Sequence, residues 1–209
     1  ACVSTGNFHE GNARTYTDVA LLTADRRLTR EVERVFEFIR QPARPFAFDH
    51  LVVSPRDMRR KLNALIADEA RRARQGEEAY ILAKVNHITD AKLIRRLYAA
   101  AAVGVRLRLL VRGNCSIVAS AHDRGRIEIR GIIDRYLEHS RILIFGHGGD
   151  ERIYIGSADW MTRNLDNRVE AYAPVYDEAV RRELRRIVDE GLADNVAARV
   201  VDGTGDNLL

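Results

Sequence analysis

A histidine and an arginine separated by one residue are the first candidates for chemistry in this sequence. His139 and Arg141 open a stretch that continues through a small-residue turn, 156–158, to Asp159. An imidazole can act as a nucleophile or as a general acid or base near neutral pH. Arginine side chains stay charged and bind phosphate oxygens in a planar fork. We therefore expect phosphoryl-transfer chemistry here. A structural histidine among solvated arginines is the open alternative.

Three more arginines lie where they could bind the same phosphate groups. Arg112 ends an apolar run that is typical of a strand, and α/β sheets place their ligand-binding groups at such ends. Arg163 and Arg168 follow the small-residue turn, and we expect one of them to bind phosphate oxygens. For Arg163 an ion pair with Asp166 is an equal alternative. The glycine-rich run 146–149 is not followed by Gly-Lys-Ser/Thr, so a P-loop is excluded.

The composition indicates a globular protein without a disulfide framework or a zinc site. Its 209 residues carry a net charge of +4. No apolar run approaches the roughly 20 residues of a membrane-spanning helix, and no secretory signal opens the chain. Cys2 and Cys115 have no partner pattern, so we expect a reducing, cytoplasmic setting. Aromatic residues do not alternate with the arginines, which argues against nucleic-acid binding. Because the sequence begins Ala-Cys-Val-Ser without Met, we expect a processed or truncated chain.

The hydrophobic pattern predicts an α/β fold. Thr23 or Asp25 can cap a first helix over 26–39, whose expected buried face is Leu28, Val32, Val35, Phe36 and Ile39. The prolines of 41–45 indicate a domain boundary. Ser54 and Pro55 are the expected start of a helix that runs to residue 74. Further strands are predicted at 46–53, 79–85, 105–111, 127–130, 142–145, 152–155 and 169–175, with helices over 89–102 and 177–191. A loop is expected over 120–125 and a frayed terminus from 202. This alternation is typical of a mixed or parallel sheet with helices on its faces.

Several strings occur together in the order typical of one family. The sequence resembles the C-terminal part of bacterial polyphosphate kinase in the strings TGNF at 5–8, ARTYTD at 13–18, LLTAD at 21–25, VSP at 53–55, VRG at 111–113, RYLEHSR at 135–141 and SADWMTRNLD at 157–166. The resemblance covers essentially the whole chain. It implies a phospholipase-D-like core built from two similar halves, with a mixed sheet flanked by helices on both faces.

The resemblance also implies an activity and its partners. That activity is the reversible transfer of the ATP terminal phosphate to polyphosphate through a phosphohistidine, with Mg²⁺ accompanying the nucleotide. ATP or ADP and inorganic polyphosphate are the implied ligands. Homo-oligomerisation of the full-length enzyme and peripheral membrane association are further expectations. His139 matches the catalytic histidine of the family's second half, Tyr16 and Arg112 match positions associated with ATP binding, and Arg168 matches a further arginine of the site.

One part of the family pattern is missing from the sequence. The phosphate-accepting histidine of the family precedes the Thr-Gly-Asn turn at which this chain opens. We therefore expect residues 1–41 to be the closing segment of the first phospholipase-D-like half and residues 42–209 to form the second phospholipase-D-like domain. The chain is expected to be inactive alone. No protein-held metal site is predicted.

The remaining roles and two competing functions stay open. Asp159, in preference to Glu138, is expected to orient the His139 ring. Tyr16 could stack on adenine, bind a phosphate or simply pack in a strand, and Asn7 could donate to a phosphate or only form the turn. A phospholipase-D-like phosphodiesterase or nuclease is one competing function, although Arg141 replaces the lysine usual there. A non-catalytic polyphosphate-binding module is the other.

Overall fold

The protein is described here by a computed structural model that covers residues 1–119 and 124–202. Twelve strands are seen in this part of the chain. They are β1 (Cys2–Ser4), β2 (Tyr16–Thr17), β3 (Ala20–Leu22), β4 (Val52–Ser54), β5 (Tyr80–Val85), β6 (Arg106–Val111), β7 (Ile127–Ile132), β8 (Leu137–Glu138), β9 (Ile142–Phe145), β10 (Arg152–Gly156), β11 (Glu170–Pro174) and β12 (Ala198–Val200). The same residues form helices α1 (Glu10–Ala13), α2 (Arg26–Arg40), α3 (Met58–Arg74), α4 (Ala91–Ala102), α5 (Thr162–Asp166) and α6 (Glu178–Ala193). The predicted loop over 120–125 and the predicted frayed terminus lie largely outside the described residues.

Eight strands form one mixed sheet. Their order is β12-β7-β6-β5-β9-β10-β11-β4, in which β5, β6 and β7 are parallel and every other neighbour is antiparallel. Two small sheets, β1 with β3 and β2 with β8, lie beside it. The parallel centre is built from the predicted strand–helix–strand units. The expected mixed α/β sheet is confirmed.

Helices cover both faces of this sheet because its strands are apolar on both sides. In β5, Ile81 and Ala83 pack in the cluster that holds α3 and α4, whereas Leu82 packs in the cluster that holds α6. Successive strand residues point to opposite faces, so one strand supplies both cores. A third cluster places Leu28 of α2 against Val53 of β4.

Aspartate side chains cap three helices, and the predicted cap Asp25 is one of them. The carboxylates of Asp25, Asp90 and Asp177 accept hydrogen bonds from backbone N–H groups in the first turns of α2, α4 and α6. Such bonds satisfy donors that have no partner within the helix. The predicted start of α3 was wrong, because the helix begins at Met58 and Ser54 ends a strand instead, whereas its predicted end at residue 74 is confirmed.

The predicted strand over 46–53 was also wrong for most of its length. Only Val52–Ser54 pair with a neighbouring strand. The N–H groups of Asp49, His50 and Leu51 instead donate to the carboxylate of Glu31, at 2.6 Å for Asp49 and Leu51. Glu31 is buried, at 4% exposure, and lies on α2. A side chain therefore satisfies backbone groups that a strand partner would otherwise bind.

This carboxylate also explains why the buried face of α2 differs from the prediction. Leu28 is buried as expected, and Val32 and Val35 are partly buried. Phe36 and Ile39 are more than half exposed, whereas Phe38 is buried. Because Glu31 is buried, the side of α2 that packs against the protein is rotated away from the purely apolar face of the helix. Hydrophobic spacing alone cannot reveal a buried charge that binds backbone.

Candidate functional site

The candidate site lies at one end of the main sheet, where several strands terminate. The parallel strands β5 and β6 end just before Asn86 and Arg112, and β10 ends just before Ser157. His139 and Arg141 immediately precede the antiparallel strand β9, so they reach the same end. The mixed topology therefore brings together residues from four separate parts of the chain.

His139 is held by Asp18, an acid that the sequence analysis did not single out. Its Nδ1 lies 3.0 Å and 3.1 Å from the two carboxylate oxygens. The parallel pairing of Tyr16 with Leu137 and of Thr17 with Glu138 places the two residues side by side. A carboxylate only accepts hydrogen bonds, so Nδ1 carries the proton and Nε2 keeps its lone pair. This tautomer suits Nε2 to accept a proton and later return it.

Neighbours fix both members of this pair. The hydroxyl of Thr5 donates to Asp18 Oδ1 at 2.6 Å. The Tyr16 ring lies against His139, with ring centroids 4.8 Å apart and a tilt of 53°. Tyr16, Asp18 and Asn7 also line a surface recess of about 500 Å³. Of the predicted binding residues, Tyr16 thus contacts the histidine directly, whereas Asn7 lies in the recess that Tyr16 and Asp18 border.

Arg141 lies against the face of the His139 ring. Its Nη1 is 3.2 Å from Nδ1 and 3.1 Å from Nε2. No point in the ring plane is this close to both nitrogens without overlapping a ring carbon, so the contact is made from above the ring. The same Nη1 donates to the carbonyl oxygens of Thr5 and His139, each at 2.9 Å. Arg141 is only 7% exposed, and its buried guanidinium therefore holds several parts of the site together.

Asp159 contacts Arg141 and not the histidine ring. Its two oxygens accept from Arg141 Nε and Nη2, both at 3.2 Å, and Oδ1 accepts from the backbone N–H of Asn86 at 2.8 Å. The direct orienting contact that we expected from Asp159 is made by Asp18 instead. Asp159 acts on His139 one step away, through the guanidinium.

Arg112 is connected to the histidine through Asn86. Arg112 Nε donates to Asn86 Oδ1 at 2.8 Å, and Asn86 Nδ2 donates to the carbonyl oxygen of His139 at 3.3 Å. This leaves the terminal nitrogens of Arg112 without a hydrogen-bond partner in the described part of the chain. A fixed guanidinium with unused donors is well suited to bind phosphate oxygens.

The electrostatics of the site keep His139 uncharged. Burial is the main cause that lowers its pKa below the ordinary value, and the cations Arg141 and Arg112 lower it further against the hydrogen bond to Asp18. For Asp159 burial raises the pKa, but Arg141 and Asn86 outweigh it and the net pKa is lowered. A neutral imidazole keeps a free lone pair and can act as a general base.

A buried lysine lies beneath the same strand end. Lys84 Nζ is 2.9 Å from Glu138 Oε2, and the lysine is 3% exposed. Burial lowers the pKa of Lys84, although Glu138 opposes the shift. The pair connects β5 of the main sheet to β8, the strand just before His139. It helps to fix the position of the histidine.

Arg163 and Arg168 are exposed, and neither side chain contacts His139 in the described structure. The backbone N–H of Arg168 donates to the carbonyl of Arg163 at 2.8 Å. The alternative ion pair of Arg163 with Asp166 is not formed, because both oxygens of Asp166 accept from Arg59 at 2.7 Å. Their predicted role in phosphate binding therefore stays a prediction.

No metal site is built by the described residues. Within 1–119 and 124–202, no three side chains of His, Cys, Asp or Glu lie close enough to hold a metal ion together. The acid nearest the histidine, Asp18, is already bound to it and to Thr5. The Mg²⁺ implied by the resemblance therefore has no three-residue site among these residues. Among the described helices, none has both the length and the apolar character that crossing a bilayer requires.

Two family models match the sequence. The model described as polyphosphate kinase C-terminal domain 2 matches residues 51–208. The model described as polyphosphate kinase C-terminal domain 1 matches residues 1–45. Both matches come from one family.

Curated relatives of this chain are named polyphosphate kinase. Polyphosphate kinase of Escherichia coli strain K12 is 47% identical over 203 residues, which cover 97% of this chain and 30% of that protein. The Salmonella typhimurium strain LT2 polyphosphate kinase is also 47% identical over the same shares. The Vibrio cholerae serotype O1 polyphosphate kinase is 45% identical and is covered to 29%. The chain thus spans about 30% of the length of these relatives.

Solved structures agree with the sequence matches. The crystal structure of polyphosphate kinase from Porphyromonas gingivalis superposes with a TM-score of 0.94 at 39% identity, over 99% of this chain and 32% of that one. Nuc from Salmonella typhimurium, a phospholipase D family member, superposes with a TM-score of 0.52 at 12% identity, over 73% of this chain and 97% of that one. The second match shows the fold alone, which is phospholipase-D-like.

Proposed function

The chain belongs to the polyphosphate kinase family, and from this premise we propose that it supplies one half of a site that transfers phosphate between ATP and polyphosphate. In this proposal the phosphate passes through a histidine that the family resemblance implies for the rest of the complete enzyme, since the chain covers 30% of its Escherichia coli relative. The contact that carries the proposal is the one between Asp18 and His139, with Arg112 attached to the same strand end through Asn86. An acid–base group and a phosphate-binding cation are thereby held together.

In this proposal His139 moves a proton and does not carry the phosphate. The Asp18 carboxylate holds the proton on Nδ1, so Nε2 can accept a proton from the attacking group and return it to the leaving phosphate oxygen. Its lowered pKa keeps the ring neutral and ready to accept. Asp18 then stabilises the imidazolium that forms for part of the cycle.

The ligands of the proposal are ATP or ADP and inorganic polyphosphate. Arg112 binds phosphate oxygens through its unused nitrogens. Tyr16 and Asn7 line a recess together with Asp18, the acid that contacts His139. Arg163 and Arg168 offer further cations on the surface beyond the turn at Ser157. Mg²⁺ would be bound by the nucleotide phosphates and would neutralise part of their charge.

Labelling with ATP that carries a radioactive terminal phosphate tests the proposal. We expect the 209-residue chain to bind ATP or polyphosphate weakly, with an affinity that falls steeply as salt is added, but to acquire no phosphohistidine and to extend no polyphosphate. The complete enzyme should do both. A stable phosphohistidine on the isolated chain would contradict the assignment of the phosphate-carrying histidine to the upstream part.

A further inference from the structure

A second histidine lies at the same end of the sheet in a fixed orientation. His87 follows Asn86, the residue that joins Arg112 to His139. Its carbonyl accepts from the N–H of Trp160 at 2.9 Å, and its ring is half-buried. The residue is therefore anchored between the chain segments that follow β6 and β10.

The hydrogen bond to the ring determines its tautomer. The backbone N–H of Asn114 donates to His87 Nδ1 at 3.0 Å, so Nδ1 has no proton and Nε2–H is a donor. No acceptor for Nε2 is found among the described residues. A donor of fixed position therefore remains available to a ligand.

The backbone beside Arg112 is shaped to receive this ring. A Cβ atom built on Gly113 would overlap the His87 ring and would also approach the carbonyl oxygen of Asn86 at 3.0 Å. Gly113 N–H donates to that carbonyl at 2.8 Å. Only glycine allows this close packing, and it sets the ring directly against the residue that follows Arg112.

We propose that His87 is a further phosphate-contacting residue, whose Nε2–H donates to an oxygen of the ATP phosphate chain bound by Arg112. The inference rests on the proposed function. A neutral imidazole adds a directional donor beside the guanidinium without adding charge. Such a donor fixes the orientation of the phosphate chain.

Two substitutions in the complete enzyme separate this role from a structural one. His87→Asn keeps an oxygen near the position of Nδ1 and can still accept from Asn114, but it lacks the distal donor. His87→Gln offers an amide N–H near the position of Nε2. We expect His87→Asn to raise the Kd for ATP and the KM for ATP about tenfold at nearly unchanged kcat, and His87→Gln to recover most of the loss. His50→Asn is the matched control, because His50 bonds Tyr176 beyond the opposite end of β11.

Each result of this experiment has a clear meaning. The inference is overturned if His87→Asn binds ATP as tightly as the wild type does. It is also overturned if His87→Asn retains more ATP binding than His87→Gln, because either result would assign His87 only the structural contact to Asn114. Phosphate transfer by the wild type would in that case keep the proposed function intact. A wild-type enzyme that binds no ATP would overturn both.

Discussion

Asp18 and His139 are 121 positions apart in the chain, yet Asp18 Oδ1 lies 3.0 Å from His139 Nδ1. The contact joins the segment that matches C-terminal domain 1 to the segment that matches C-terminal domain 2. The proposed acid–base pair is therefore built from residues of both segments.

Replacement of Asp18 by Asn should impair turnover in the complete enzyme. An amide can donate to Nδ1, which moves the ring proton to Nε2, and it does not stabilise an imidazolium. We expect kcat to fall roughly tenfold to 100-fold with a small change in the KM for ATP. Steady-state assays measure both quantities. Asp49→Asn, in a different recess, should leave kcat unchanged.

The same substitution should change the pKa of His139 in a defined direction. Burial and Arg141 already lower this pKa, and the hydrogen bond to Asp18 opposes them. Loss of the carboxylate should therefore lower the pKa further. An NMR titration of the imidazole measures it, and a pKa that rises in Asp18→Asn would contradict the assigned contact.

Gly6→Ala should reproduce the effect of Asp18→Asn without replacing either member of the pair. A Cβ atom on Gly6 would overlap the Asp18 carboxylate, which must then leave the position next to His139. We expect a similar fall in kcat and little loss of thermal stability. Gly11→Ala is the control, because its Cβ would meet only the exposed His9 ring. A Gly6→Ala enzyme with wild-type kcat would show that Asp18 can move without consequence.

Much of the sheet and its helices could be predicted from local patterns. The helix predicted over 89–102 is found as α4, and the central parallel strands agree with their predicted bounds to within a residue or two. The two-residue strands β2 and β8 could not be predicted, because such short pairs have no local signal. The Asp18 contact depends on them. The only sign of this contact in the sequence is the string TYTD at 15–18. That string contributed to the family resemblance but did not indicate a role for Asp18.

Buried charges were the other feature beyond the reach of the sequence. Glu31 and Arg141 are both buried and bind backbone groups, and no local pattern predicts this. Asp159 was predicted to act on His139 because it ends a neighbouring strand, and the strand position was right. Asp159 binds Arg141 because the Arg141 side chain crosses the face of the His139 ring. The spacing of residues in the sequence does not predict the path of that side chain.

Arg59→Met should lower the free energy of unfolding and make it depend less on pH under acidic conditions. Arg59 holds Asp90, whose side chain is 2% exposed, at 2.8 Å and Asp166 at 2.7 Å. Removal of the cation leaves a buried carboxylate unpaired, so we expect a loss of about 3 kcal/mol in the free energy of unfolding. Urea titration measures it. Arg186→Met, which removes only exposed pairs on α6, should leave stability nearly unchanged.

The pH dependence follows from the depressed pKa of Asp90. The hydrogen bonds from Arg59 hold this pKa well below its ordinary value. The unfolded chain therefore takes up the proton first as the pH falls below about 4. The stabilisation is fully present above that pH and is lost progressively below it. A loss of stability between pH 4 and pH 2 that is equally steep in Arg59→Met would contradict this origin.

Transfer of labelled phosphate from ATP to polyphosphate by the complete enzyme carrying His139→Gln tests the central claim, that His139 is the acid–base group of a phosphate-transfer site. We expect kcat to fall at least 100-fold, because glutamine cannot exchange a proton near neutral pH. Binding of ATP through Arg112 should persist. A kcat within twofold of the wild-type value would contradict the claim and remove His139 from the mechanism.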